Sequence, residues 1–374
     1  MIRFLVAACL FLGTYLWGQG CVAVRPMSCS ASTQLDQTGY FGAGQWQFQT
    51  SYRYFESFRH FRGSEEETHR REEGTNVIND AYSMDLGLSR MVTDRTGFSI
   101  NLPVIYYTRS SLYEHYGNNT TRNPDQLRFS TNASGIGDLR LTVNHWLFDP
   151  AASGHKGNIQ LGLGIKMPTG DSDVEDDFHR RATDGSDTTI VRPVDQSIQL
   201  GDGGWGFNLE LQAYRYVAPS TTLYFNGFYL FNPETQNDTL SRGTLENVNP
   251  LIAYHSIADQ YAARGGVNQL LSKRYGLQGS MGFRVEGVPS HDLIGSSNGY
   301  RRPGVIVSGE PSLTMPIGQV NMTLSVPFAL YRNRTKSVYD LSDPEGERHG
   351  DAAFADYLIN FTMSYRFSSF FKQG

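Results

Sequence analysis

From Gln45 to Tyr54 the chain reads QWQFQTSYRY, with Trp46, Phe48, Tyr52 and Tyr54 separated by Gln47, Gln49, Ser51 and Arg53. A period of two sends the first set to one face of a β-strand and the second to the other. The same alternation returns at 82–89, 98–106, 138–148, 157–167, 205–216, 222–231, 259–269, 277–287, 305–313, 320–330 and 356–367, which makes twelve predicted strands. In the fifth, GNIQLGLGIKM, Ile159, Leu161, Leu163 and Ile165 share one face while Lys166 falls on the other. His145 lies on the apolar face of the fourth, near its end.

The connections fall into two kinds. TDRTG, DPAASGHKGN, VAPST, LLSKRYG and MPIGQ are short turns and follow the even strands, whereas long charged loops such as GSEEETHRREEGTN and 171–204 follow the odd ones. An even number of antiparallel strands, with short turns at one end and long loops at the other, predicts an all-β transmembrane barrel with periplasmic turns and extracellular loops. A soluble sandwich has no reason to sort its loops by length. It would also expose these apolar faces to water.

With the apolar faces turned to lipid, eleven charged side chains point inward: Arg53, Asp85, Asp138, Arg140, Lys166, Glu210, Arg264, Arg284, Glu286, Glu310 and Arg366. Two readings stay open for them. They form ion pairs that hold the barrel in shape, or they line a pore and set which solutes pass. Their signs nearly balance, so strong anion or cation selectivity is not expected. Twelve strands about 4.8 Å apart and tilted about 40° enclose a backbone cylinder roughly 24 Å across, which side chains narrow or plug.

Composition agrees with strands rather than helices in the membrane. The 374 residues include 21 Tyr and 22 Phe, suited to interfacial girdles, and no apolar run long enough for a membrane helix follows residue 20. A net charge of −5 gives no support for nucleic acid as a partner. The expected partners are outer-membrane lipids and lipopolysaccharide, the barrel-assembly machinery and a small-molecule solute.

Residues 1–20, with Arg3, an apolar run and Gly18 and Gly20, read as a secretory signal peptide. Cleavage before Cys21 is either ordinary or followed by lipidation of that cysteine. Residues 21–43 are then a periplasmic lead or partial plug, 44–367 the barrel and 368–374 a tail. Removal of Cys9 leaves Cys21 and Cys29, spaced for a small disulfide in an oxidising compartment. Tyr365 and Phe367 close the last alternation and are the expected signal for barrel assembly.

Catalytic chemistry finds little footing. Tyr-His-Ser at 254–256 and Ser-His-Asp at 290–292 place serine beside histidine, not two residues away on the same strand face. The acidic run DSDVEDD at 171–177 resembles the start of a calcium loop, but Asp176 stands where glycine is needed and Ala182 where the closing glutamate would be. It reads as a solvated external loop. The Asn-Asn-Thr and Asn-Asp-Thr sequons carry no message on a bacterial surface. No enzyme, metal or cofactor is expected.

The segments SGIGDLRL (134–141), GLGIKMPTGD (162–171) and FNGFYLFNP (225–233) resemble the outer-membrane barrel family named for the meta-pathway of phenol degradation. The likeness spans roughly 44–367; Met167 stands where the second motif usually has an apolar residue and is compatible with it, while the tail SSFFKQG departs from the usual aromatic ending. The resemblance implies transport, with apolar or aromatic solutes as cargo, and extends to barrels that export amyloid subunits. Three functions follow as expectations: a channel passing small solutes, a closed barrel acting through its loops, and an export barrel. The third calls for a longer periplasmic helix ahead of the strands. Whether the second and third loops fold inward decides between the first two.

Overall fold

A computed structural model describes residues 42–150, 156–241 and 245–368. It is a closed barrel of twelve antiparallel strands, each bonded to the strands before and after it in the chain. β1 is Trp46–Arg62, β2 Ile78–Met91, β3 Thr96–Ser111, β4 Phe129–Ile136 with Leu139–Trp146, β5 Gly157–Met167 and β6 Gly206–Ala218. β7 is Thr221–Phe231, β8 Gln260–Ser272, β9 Leu277–Val288, β10 Gly304–Ile317, β11 Val320–Ser325 with Phe328–Asn333, and β12 Ala352–Ala355 with Ile359–Phe367. The seam closes as β12 pairs with β1, from Phe367 opposite Trp46 to Ile359 opposite Tyr54.

The alternation predicted for β1 holds in space. Gln47, Gln49, Ser51 and Arg53 are buried, while Phe48 and Tyr52 are exposed on the outside. The outward face is apolar on strand after strand, through Leu163, Phe207, Phe225, Met281, Phe283 and Leu313. Trp46 stacks on Phe367 and meets Phe98 edge-on at the short-turn end; Tyr54, Tyr82 and Tyr106 run together at the long-loop end. Two aromatic rims flanking an apolar band are what a bilayer asks of a barrel. No helix among the described residues is long and apolar enough to cross a membrane.

Three of the predicted strands are broken in the middle, and prolines account for each break. Pro103 on β3 accepts a bond from Gly137, so its edge facing β4 has no N–H to return, and β4 parts at Gly137 and Asp138. Pro311 on β10 accepts from Val326, where β11 parts, and Pro327 accepts from Leu358, where β12 parts. Beyond its break, the outer half of β4 remains bonded to β3 only.

The long connections are L1 (63–77), L2 (112–128), L3 (168–205), L4 (232–259), L5 (289–303) and L6 (334–351). L3 carries a hairpin, Glu175–Arg181 with Asp187–Pro193, then a 3₁₀ turn at Gln196–Ile198. That turn lies inside the barrel. Val194, Ile198 and Leu200 are buried against Ile105 and Ala133 of β3 and β4. L4 pairs Gln236–Leu240 with Tyr254–Ser256, and L6 holds a single helical turn, Val338–Leu341, with a Ser337/Asp340 capping box. The acidic run at 171–177 enters the L3 hairpin, where the Asp176 carboxylate accepts from the backbone N–H of Asn132. The signal segment, the lead up to residue 41, the Cys21 and Cys29 pair and the last six residues of the tail lie outside the described residues.

Candidate functional site

All eleven charged residues picked out by alternation occupy interior positions, and most are buried. Near mid-barrel, Arg53 of β1 lies 4.0 Å from Glu286 of β9, and Glu286 also accepts from Arg284 at 2.8 Å. Three strands separate β1 from β9, so this pair reaches across the lumen. Asp85 is buried on β2 among these charges. Arg264 pairs with Glu310 at 3.3 Å across β9. Arg140 of β4 donates to Asn101 and sets its guanidinium 5.4 Å from the Phe228 ring of β7. Glu210 accepts from Asn208, and Arg366 donates to Gln47 near the short turns. Opposite signs meet at most of these positions, so the lumen is bridged by side chains and is not an open tube.

Lys166 joins this lattice to L3. Its ammonium binds the Asp202 carboxylate and lies 4.0 Å from Asp138. Asp138 in turn accepts from the backbone N–H groups of Gly170 and Asp202, which ties the L3 return to the break in β4. Gly170 and Gly201 touch backbone to backbone there. A Cβ on Gly201 would lie 2.4 Å from the Gly170 carbonyl oxygen.

The outer end of the lumen is gripped by Asp195, which opens the 3₁₀ turn of L3. Its carboxylate accepts from Ser197 N–H and Oγ, takes both terminal nitrogens of Arg302 at 2.7 and 2.6 Å, and lies 3.6 Å from Arg109 of β3. Arg109 is itself held by Glu114, Asn79 and Tyr113. Burial works against charge on Asp195, but Arg109 and Arg302 outweigh it and hold the carboxyl well below the usual carboxylate range. Burial would likewise lower Arg302; Asp195 carries it above the ordinary guanidinium value. This is a charged clamp between wall, L3 and L5.

Three cavities meet at Arg302. The inner one, about 190 Å³, is bounded by Arg140, Lys166, Gln199, His255 and both Arg301 and Arg302. One outer cavity, about 310 Å³, lies toward L1 and L2 beside His60 and Tyr113. The other, about 580 Å³, opens among L4, L5 and L6 beside Asn249 and Arg348. Arg302, fixed by the clamp, thus forms part of the wall of all three. His255 lines the inner cavity and burial lowers its imidazole to about 4, so it is neutral near pH 7.

Reasoning from the sequence identified the inward charges of the strands but not Asp195, Arg109, Arg301 or Arg302. Arg109 continues the inward parity of β3 past the predicted end of that strand, and that parity was the available signal. The other three sit in loops where no period marks a face. The sequence offers His255 only as a partner for Ser256, whereas Ser256 Oγ donates to the carbonyl of Thr235.

No family model matches the chain, and no curated protein matches it. Among solved structures it is similar to an outer membrane channel from Pseudomonas putida F1, with 11% identity, 88% of this chain and 99% of that one covered, and a TM-score of 0.55. It also aligns with the translocator domain of the autotransporter NalP from Neisseria meningitidis (12% identity, 90% and 92% covered, TM-score 0.47) and with the P. putida toluene transporter TodX (11%, 94% and 99%, TM-score 0.43). At these identities the likeness is one of fold: a closed antiparallel barrel of the bacterial outer-membrane kind.

Proposed function

We propose that this protein is an outer-membrane channel for small solutes, held shut at its outer end by L3. The observation that carries this reading is the placement of Asp195 between Arg109 and Arg302, which draws a loop across the lumen exactly where the cavities on either side meet. A filled barrel that served only as scaffold would gain the same rigidity from wall-to-wall contacts, without a polar partition between two chambers. The inward charges, Arg53 to Arg366, are then the lining below this partition. The inner cavity offers Tyr107, Leu230 and Val288 beside its charged groups, which suits a solute with an apolar or aromatic body and one polar group. Likeness to an outer membrane channel supports the same reading, as does the resemblance to the phenol-pathway barrels. Lipid and lipopolysaccharide surround the apolar band, and Tyr365 with Phe367 serves the assembly machinery.

The test is conductance of the folded chain in a planar bilayer, with and without small aromatic solutes. Discrete steps that such solutes reduce support the channel. A folded barrel that stays silent with the clamp intact and with Asp195→Asn favours the second reading, a closed barrel acting through its loops, for which the cross-lumen pair of Arg53 and Glu286 already speaks.

A further inference from the structure

His255 is 2% exposed and lines the inner cavity, and neither of its ring nitrogens has a hydrogen-bond partner among the described residues. A buried imidazole without a partner forgoes a bond that is costly to leave unmade. Arg301, 3% exposed and lining the same cavity, shows the same deficit at Nε, although its other two nitrogens are fixed by Asp292. Two residues with unpartnered nitrogens thus line one cavity.

The charges around that space set the sign of its occupant. Arg140, Lys166, Arg301 and Arg302 line it against only Asp138 and Asp202, because Asp195 and Asp292, the partners of the two L5 arginines, stand behind them outside the lining. A cation would meet four positive heads, three of them partly offset by Asp202, Asp292 and Asp195. A neutral solute would satisfy the donors but gain nothing from the field. An anion gains both. Tyr107, Leu230, Ala258 and Val288 complete the wall with apolar surface, and about 190 Å³ is ample for one ring, since a dry cavity of about 150 Å³ is known to take benzene.

We infer that the inner cavity is a binding site for a small organic carboxylate of about one ring, whose carboxylate oxygens accept from His255 and Arg301 while its body lies against Leu230 and Val288. This deepens the channel reading and rests on it for the solute's route of entry. A carboxylate bound here would lie beside Arg302 of the Asp195 clamp, since Arg301 and Arg302 line the same cavity, which links occupancy to opening.

The experiment is calorimetric titration of the folded full-length chain in detergent with benzoate and with benzyl alcohol, a neutral solute of the same ring size. Benzoate should bind at least about tenfold more tightly, the equivalent of one charge-assisted hydrogen bond. His255→Leu should weaken benzoate by about tenfold or more, and His255→Gln, which keeps a donor, by no more than about threefold. Equal affinity for the two solutes overturns the site, as does a folded His255→Leu variant that binds benzoate unchanged. If that variant fails to fold, the comparison of solutes on the unaltered chain decides alone. Conductance measured on the same preparation separates the two proposals. A conducting barrel indifferent to benzoate removes the site and leaves the channel, and a silent barrel that binds it removes the channel and leaves the site.

Discussion

Asp195 on L3 meets Arg302 on L5 in a two-point ion pair, each carboxylate oxygen accepting from one guanidinium nitrogen at 2.7 and 2.6 Å. Forked pairing of this kind is stronger and more directional than a single contact. Removing one member of a buried pair costs about 3–5 kcal/mol, because the other charge is left behind. Asp195→Asn should therefore lower the closed-to-open ratio of L3 by about a hundredfold or more, at about 1.4 kcal/mol per factor of ten. Single-channel recording should show larger or longer openings; unchanged traces would mean that L3 does not govern passage.

Close packing of L3 gives an independent way to dislodge it. Gly201→Ala places a methyl 2.4 Å from the Gly170 carbonyl oxygen and 2.6 Å from Asp138 Oδ1, and the first of these is backbone that cannot swing aside. The outgoing and returning ends of L3 must part even though every charge of the clamp remains. The expected outcome is the Asp195→Asn conductance in milder form, with the strand signature in circular dichroism preserved. Wild-type traces from Gly201→Ala would show that the two glycines do not seat the loop.

Acid should loosen the loops through their histidines before it reaches the clamp. In an unpacked loop the imidazole titrates near 6.5, whereas burial holds His255 and His115 at about 4. Lowered values mean that the packed loops are fully favoured above about pH 6.5 and lose that advantage as pH falls toward 4, because only the unpacked form takes up the proton. Asp195 keeps its charge throughout this window, its carboxyl being held well below the usual range. Protease cleavage within L2 and L4 should therefore rise between pH 7 and 4.5, and His255→Gln should flatten the rise in L4. A flat profile for the native chain would contradict this assignment.

The barrel was legible because a strand that faces lipid on one side and an interior on the other must alternate, and Trp46 to Tyr54 does so with Thr50 as its one exception. What alternation cannot show is interruption. Pro103, Pro311 and Pro327 break the ladders of their neighbours β4, β11 and β12, and a proline read on its own strand says nothing about the strand beside it. L3 was illegible for a different reason. Val194, Ile198 and Leu200 are scattered apolar residues in a polar loop, and they become a plug only against Ile105 and Ala133, which lie about sixty to ninety residues earlier in the chain.

The outward face makes a prediction about the membrane itself. Leu163 on β5 is 68% exposed and pairs with Val143 and Leu209, both also exposed. Near the bilayer midplane an outward arginine costs about 2–4 kcal/mol, falling toward the rims. Leu163→Arg should lower folding stability in lipid vesicles by that amount in a urea titration, while the same exchange at Leu245, in L4, should change little. Equal effects at the two positions would argue against a lipid-facing band.

In the proposed channel, Lys166 sets the sign of the lining below the clamp. Its ammonium is shared by Asp202 and Asp138, so that the three together carry one net negative charge at the point where L3 returns to the wall. Lys166→Met keeps the length of the stem but leaves two carboxylates facing the lumen uncompensated, raising the local negative charge from one to two. Cations should then be drawn into the constriction and anions excluded more strongly. In a bilayer with a salt gradient the reversal potential should shift toward the cation-selective direction, and benzoate should bind less well in the inner cavity, which Lys166 lines. Because the substitution leaves the charge of Asp195 untouched, the shift should be one of selectivity more than of open time. A reversal potential that does not move would place the ion path away from Lys166 and return the residue to a purely structural role.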